Sequence, residues 1–160
     1  MKGNTICPPY ALQREEVGGS RGTRAQGGPS GLRKRYVASV YRQPHMVGRE
    51  RRAVRVLLRK WGVAPEPSVD AVLIVVSELL SNAVLYGTAD FVVLSITCTQ
   101  HEIRIEVDDR TPGEWPARIC PADDDENGRG LLLAAALSVA SGVSEDGTVA
   151  WSTVVIGQTP

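Results

Sequence analysis

The chain has 160 residues, enough for one domain with one core, and its 42% hydrophobic and 5% aromatic content is that of an ordinary globular protein. Its 18 basic and 18 acidic residues cancel, but the first 35 positions carry seven basic residues against Glu15 and Glu16, so a basic start precedes an acidic globule. Cys7, Cys98 and Cys120 are odd in number and form no CxxC pair, which excludes a disulfide framework and a structural zinc site.

Residues 1–33 hold Gly18-Gly19-Ser20 and Gly27-Gly28-Pro29-Ser30-Gly31 with little hydrophobic periodicity. Such a stretch buries too little apolar surface to offset its ordering entropy. It is expected to be a disordered basic tail, with the folded domain spanning 34–160. Without aromatic or motif context, a solvated extension is favoured over direct nucleic-acid contact. The start lacks a signal-peptide core, and the apolar run Leu131–Leu137 is too short to cross a bilayer. A cytoplasmic protein without membrane contact is expected.

The first strand is predicted over 35–42, where Tyr36, Ala38 and Val40 alternate with Val37, Ser39 and Tyr41. A helix follows over 46–61, with Val47, Val54, Leu57, Leu58 and Trp61 near one face and Gly62 as its stop. Arg52, Arg55 and Arg59 form a basic stripe opposite, read first as a solvated face. The second helix is predicted over 68–86, with Ser68 as N-cap and Val69, Val72, Leu73, Val76, Leu80 and Ala83 facing the core. Two strands, 91–99 and 102–109, form a hairpin through Gln100-His101. A loop rich in Pro, Gly and acidic groups leads to a third helix over 130–140, and a last strand or pair of strands covers 143–156. Helices and antiparallel strands segregate, which predicts an α+β two-layer sandwich.

Three segments carry candidate chemistry. Glu78 and Asn82 are four residues apart and share one helix face beside the core stripe. An Asn carbonyl is a hard oxygen ligand suited to Mg²⁺, and a neighbouring Glu can polarise a hydroxyl for attack on phosphorus. Period-two alternation from Val107 turns Asp109 inward, where a base amino group is one suitable donor. Equally, Asp109 can lie in the turn and bind local N–H groups. Gly128-Arg129-Gly130 precedes an apolar helix, where backbone N–H groups and a cationic side chain suit phosphate. A GxG before a helix is also a common plain turn.

The order of S-E-L-L-S-N-A-V-L-Y-G, D-R-T-P-G, G-R-G-L-L-L and D-G-T-V resembles the boxes of the GHKL (Bergerat-fold) ATPases. Among these it is most similar to the small anti-sigma-factor serine/threonine kinases, over about residues 35–156. The resemblance implies a mixed, mostly antiparallel sheet backed by three helices, with ATP and Mg²⁺ bound between helix and lid. It implies Glu78 as catalytic base, Asn82 as Mg²⁺ ligand and Asp109 as the adenine-binding carboxylate. Gly113 would lie beneath the base, Gly128 and Gly130 would be lid hinges, Arg129 and Leu131 would flank the phosphates, and Thr148 would support Asp109. The implied activity is phosphorylation of a serine on an anti-sigma antagonist by a protein that also binds a sigma factor, with homodimerisation suggested. A non-catalytic ATP-dependent binding switch of the same fold is the other reading. Two departures stand out: Tyr86 occupies a position that is often His, and Thr111 replaces the first glycine of D-x-G-x-G.

Overall fold

The computed structural model describes residues 33–112 and 127–157. In chain order these form β1 (Lys34–Tyr41), α1 (Pro44–Trp61), α2 (Glu66–Tyr86), β2 (Phe91–Cys98), β3 (Glu102–Asp108), α3 (Asn127–Ala136), β4 (Ala140–Val143) and β5 (Val149–Val155). The basic segment 1–32 lies outside the described residues, as do residues 113–126.

The strands make one sheet in the order β1-β2-β3-β5-β4. Every pairing among the described strands is antiparallel, so the expectation of a mixed sheet resolves to an antiparallel one. Alternation sets the faces. Val40, Val92, Leu94, Ile96, Ile103, Ile105, Val107, Ala150 and Val154 are buried toward the helices. Their neighbours form the opposite face, where the Arg104 guanidinium lies 4.1 Å from the Trp151 ring centroid and pairs with Glu106 at 3.0 Å.

The helices form the second layer. α2 packs on β2, β3 and β5, while α1 and α3 pack against α2. This enclosure explains why α2 buries Val75, Leu79 and Asn82 besides its predicted core stripe. By length and composition α2 is apolar enough to cross a bilayer, but its apolar surface meets the sheet and the two other helices.

Local chemistry shifts several boundaries. α1 starts at Pro44, whose fixed φ and missing N–H suit the first turn. Its buried stripe is Met46, Glu50, Val54 and Leu58, so an acidic residue lies where the periodicity suggested only apolar ones. Tyr36 donates its hydroxyl to Glu50 at 3.2 Å, and this bond gives the buried carboxylate a partner. Gly62 ends α1 in the left-handed conformation at φ 75°, as its position predicted.

Ser68 is not the N-cap of α2. The Pro65 carbonyl accepts the Ser68 N–H at 3.0 Å, which places Ser68 inside the first turn, and no side chain caps the helix. α3 runs from 127 to 136 rather than 130 to 140. It ends early because Ala140 pairs with Thr153 to start β4, and the Ser138 hydroxyl satisfies the Ala134 carbonyl at 2.7 Å.

Candidate functional site

The end of α2 meets the segment after β3 through Thr88 and Thr111, and that segment meets the start of β5 through Asp109 and Thr148. Glu78 and Asn82 lie one turn apart on α2, as their spacing requires. Asn82 is 6% exposed, and its Nδ2 meets no hydrogen-bond partner among the described residues. Burying an amide without a partner is unfavourable by about 1–3 kcal/mol. Trp151 Nε1 shares this state, and either group calls for a partner beyond the described residues. Glu78 is only partly buried, and this burial raises its carboxyl above the ordinary value.

Asp109 follows the last residue of β3 and is 1% exposed. Both sequence readings of this residue describe part of what is found. Its carboxylate is inward, and its Oδ1 also accepts the Thr111 N–H at 2.9 Å in a local turn. Its own N–H donates to the Thr148 carbonyl at 3.1 Å. Thr148 therefore meets Asp109 through its main chain, while the Thr148 hydroxyl donates to Asp146 Oδ1 at 2.9 Å.

Asp146 is the centre of the β4–β5 turn. Its Oδ1 accepts the Ser144 hydroxyl at 2.6 Å and the Thr148 N–H at 3.1 Å, and Gly147 provides the positive φ of 76° that closes the loop. These donors, the Ser144 hydroxyl foremost, hold the Asp146 carboxyl below its usual range. Asp-Gly at a turn is a familiar signal, but its service to Asp109 across the sheet is not visible in the sequence.

Gly87 closes α2, donating its N–H to the Ala83 carbonyl at 2.8 Å. A Cβ on Gly87 would come within 2.4 Å of that carbonyl oxygen, so glycine is required here for space. Arg42 braces the following segment: Nε donates to the Ala89 carbonyl at 2.7 Å, and a second guanidinium N–H reaches the Val84 carbonyl at 3.4 Å. This places positive charge at the C-terminal end of α2, where the helix dipole favours it. Thr88 then contacts Thr111 across the site, its N–H donating to Thr111 Oγ1 at 3.0 Å. Sequence reasoning gave Arg42, Thr88 and Asp146 no role.

Of the remaining predicted residues, Gly113 lies outside the described residues. Gly128, Arg129, Gly130 and Leu131 fall within the first turns of α3, so Gly128 and Arg129, expected before the helix, lie inside it. That position still leaves main-chain N–H groups without helical partners, because the first four of any helix have none. α3 packs on α2, the helix that carries Glu78 and Asn82. Among the described residues no group of three or more His, Cys, Asp and Glu could hold a metal ion. A single Asn oxygen with water and phosphate oxygens is the kind of donor set Mg²⁺ accepts, so Asn82 fits that ion.

Residues 42–153 match the family described as the histidine kinase-like ATPase domain. Among solved structures, the chain is similar to the crystal structure of the RsbU and RsbW domains of Rv1364c from Mycobacterium tuberculosis, with a TM-score of 0.58 and 18% identity. That likeness covers 78% of this chain and 33% of the other, and at this identity it bears on the fold alone. No curated protein matches the chain.

Proposed function

Because the chain belongs to the histidine kinase-like ATPase domain family, we propose that it binds Mg²⁺-ATP and acts as a serine/threonine protein kinase in anti-sigma-factor regulation. The observation that carries this reading is the buried Asn82 amide, whose Nδ2 lacks a partner one turn from a half-buried Glu78.

Each residue has a chemical task in this reading. The Asp109 carboxylate, buried at the end of β3, accepts the amino group of adenine. The free N–H groups at the start of α3, with Arg129 and Leu131, receive the phosphates, and Gly128 and Gly130 let the chain there approach closely. Gly113 lies under the base, and Thr148 supports Asp109. Bound Mg²⁺ supplies neutralising charge to the phosphate oxygens, and the Asn82 side-chain oxygen is its protein ligand.

Glu78 orients the serine hydroxyl of the substrate and takes its proton as the serine oxygen forms its bond to the γ-phosphorus. The bond between that phosphorus and the bridging oxygen breaks, and ADP leaves with the electron pair. Burial supports this role, since a carboxylate with a raised pKa is a better proton acceptor near neutral pH. The substrate is an anti-sigma antagonist, and a sigma factor is the alternative partner that phosphorylation releases or retains.

Labelled ATP and Mg²⁺ added to the protein in native lysate, beside Glu78→Ala and Asn82→Ala, test this reading. Label on a single partner, lost in both variants, is the expected result. Tight ATP binding with no labelled product would replace the kinase by an ATP-dependent binding switch. Absence of ATP binding by the unaltered protein would overturn the nucleotide site itself.

A further inference from the structure

Thr111 occupies a place where the family pattern has glycine, and its hydroxyl is fully engaged. The residue is 8% exposed. Its Oγ1 accepts the Thr88 N–H at 3.0 Å, lies 3.2 Å from Thr88 Oγ1, and donates to the Asp109 carbonyl at 3.2 Å. A hydroxyl has one proton and two lone pairs. With its proton on the Asp109 carbonyl, Thr111 must accept from the Thr88 hydroxyl, and all three of its capacities are filled. The Thr111 N–H meanwhile donates to Asp109 Oδ1 at 2.9 Å. One residue thus holds Asp109 by both main chain and carboxylate, and holds the segment that leaves α2.

Thr88 is a fixed anchor. Gly87 before it is bonded to the Ala83 carbonyl, and after it Arg42 secures the Ala89 carbonyl at 2.7 Å and the Asp90 carbonyl at 2.9 Å. Asn82 belongs to the same helix that ends at Gly87. The Thr111 hydroxyl therefore ties the wall bearing Asn82 to the loop bearing Asp109.

We propose that Thr111 and Thr88 form a positioning clamp for base selection, fixing the Asp109 carboxylate relative to α2 so that a 6-amino purine is accepted and a 6-oxo purine refused. The proposal rests on the ATP-binding reading and adds what sets its selectivity. A carboxylate only accepts hydrogen bonds, so an amino group satisfies it while a carbonyl opposes it. That contrast is strong only while the carboxylate cannot swing aside. Thr111 acts through Asp109 and is a positioning residue.

The test is displacement of a fluorescent ATP analogue by ATP, GTP and inorganic tripolyphosphate, on the unaltered protein and on Thr111→Val, Thr111→Ser and Thr88→Ala. Thr111→Val should weaken ATP binding about 10-fold, the loss expected when hydrogen bonds to one buried hydroxyl are removed. It should shrink the ATP-to-GTP ratio by a similar factor and leave tripolyphosphate unchanged. Thr111→Ser should restore the ratio, and Thr88→Ala should give a smaller loss in the same direction. An unchanged ratio in Thr111→Val, or equal weakening of ATP and tripolyphosphate, would overturn the clamp. Should Thr111→Val fail to fold by circular dichroism, an unchanged ratio in Thr88→Ala, at an exposed position, would overturn it instead. Failure of the unaltered protein to bind ATP would show separately that the underlying nucleotide reading is wrong, and the clamp with it.

Discussion

Asp109 donates its main-chain N–H to the Thr148 carbonyl at 3.1 Å, one step beyond Asp108 and Val149, the pair that ends the β3–β5 ladder. The buried carboxylate is thereby seated on the β4–β5 turn, and the turn is seated on Asp146. An exposed residue helps to fix one that is 1% exposed.

Asp146→Ala should weaken ATP binding several-fold without changing any residue proposed to touch the nucleotide. It should also lower the melting temperature at neutral pH. The Asp146 carboxyl is held below its ordinary value by the Ser144 hydroxyl and the Thr148 N–H and hydroxyl. A lowered folded pKa contributes stability above the unfolded value of about 3.9 and loses it as pH falls through the folded value. The difference between the unaltered protein and Asp146→Ala should therefore close in acid, as thermal melts across pH can establish.

Glu78 has the opposite sign. Burial raises its folded pKa, so between the unfolded value of about 4.3 and the folded one the native state binds the additional proton. Stability then declines as pH rises through that window and stays lower above it. Glu78→Gln should melt higher than the unaltered protein at neutral pH, with the gap closing toward the unfolded pKa. The same change should reduce phosphotransfer by about 10²–10⁴-fold if Glu78 is the base, while ATP affinity changes little.

Asn82→Leu separates binding from folding. The substitution removes a buried amide whose Nδ2 has no partner among the described residues and keeps a side chain of similar size. Stability in the absence of nucleotide should rise by about 1 kcal/mol. The increase in melting temperature that Mg²⁺-ATP gives the unaltered protein should disappear. Calorimetry with and without nucleotide reads both effects.

Gly87→Ala should destabilise the domain by about 1–3 kcal/mol, the range for forcing a methyl group into filled space. Its Cβ would meet the Ala83 carbonyl oxygen at 2.4 Å and the Arg42 side chain at 3.4 Å. The φ of Gly87 is −66°, so the cause is space and not backbone conformation. Because Thr88 moves with Gly87, urea melts should be accompanied by weaker ATP binding.

Much of this fold is legible in local pattern. The alternation Tyr36-Ala38-Val40 places those side chains inward with the β1 register observed, and the stripe Val69 to Ala83 is the buried face of α2. The misplaced ends have local physical causes. Proline carbonyl geometry begins α2 two residues before the Ser68 expected as cap, and pairing of Ala140 with Thr153 takes from α3 the residues that helical periodicity had assigned to it.

By itself the sequence determined which side chains share a face. The spacing of Glu78 and Asn82 on a 3.6-residue helix follows from backbone geometry alone, whereas the sequence left Asp109, one residue past β3, open between an inward position and the turn. Tertiary structure decided what those side chains meet. Thr88 and Thr111 are 23 residues apart in the chain, and Asp109 and Thr148 are separated further still. Their contacts exist because an antiparallel β3–β5 ladder and the end of α2 bring three loops together at one end of the central strands, and no periodicity within any one segment encodes that meeting.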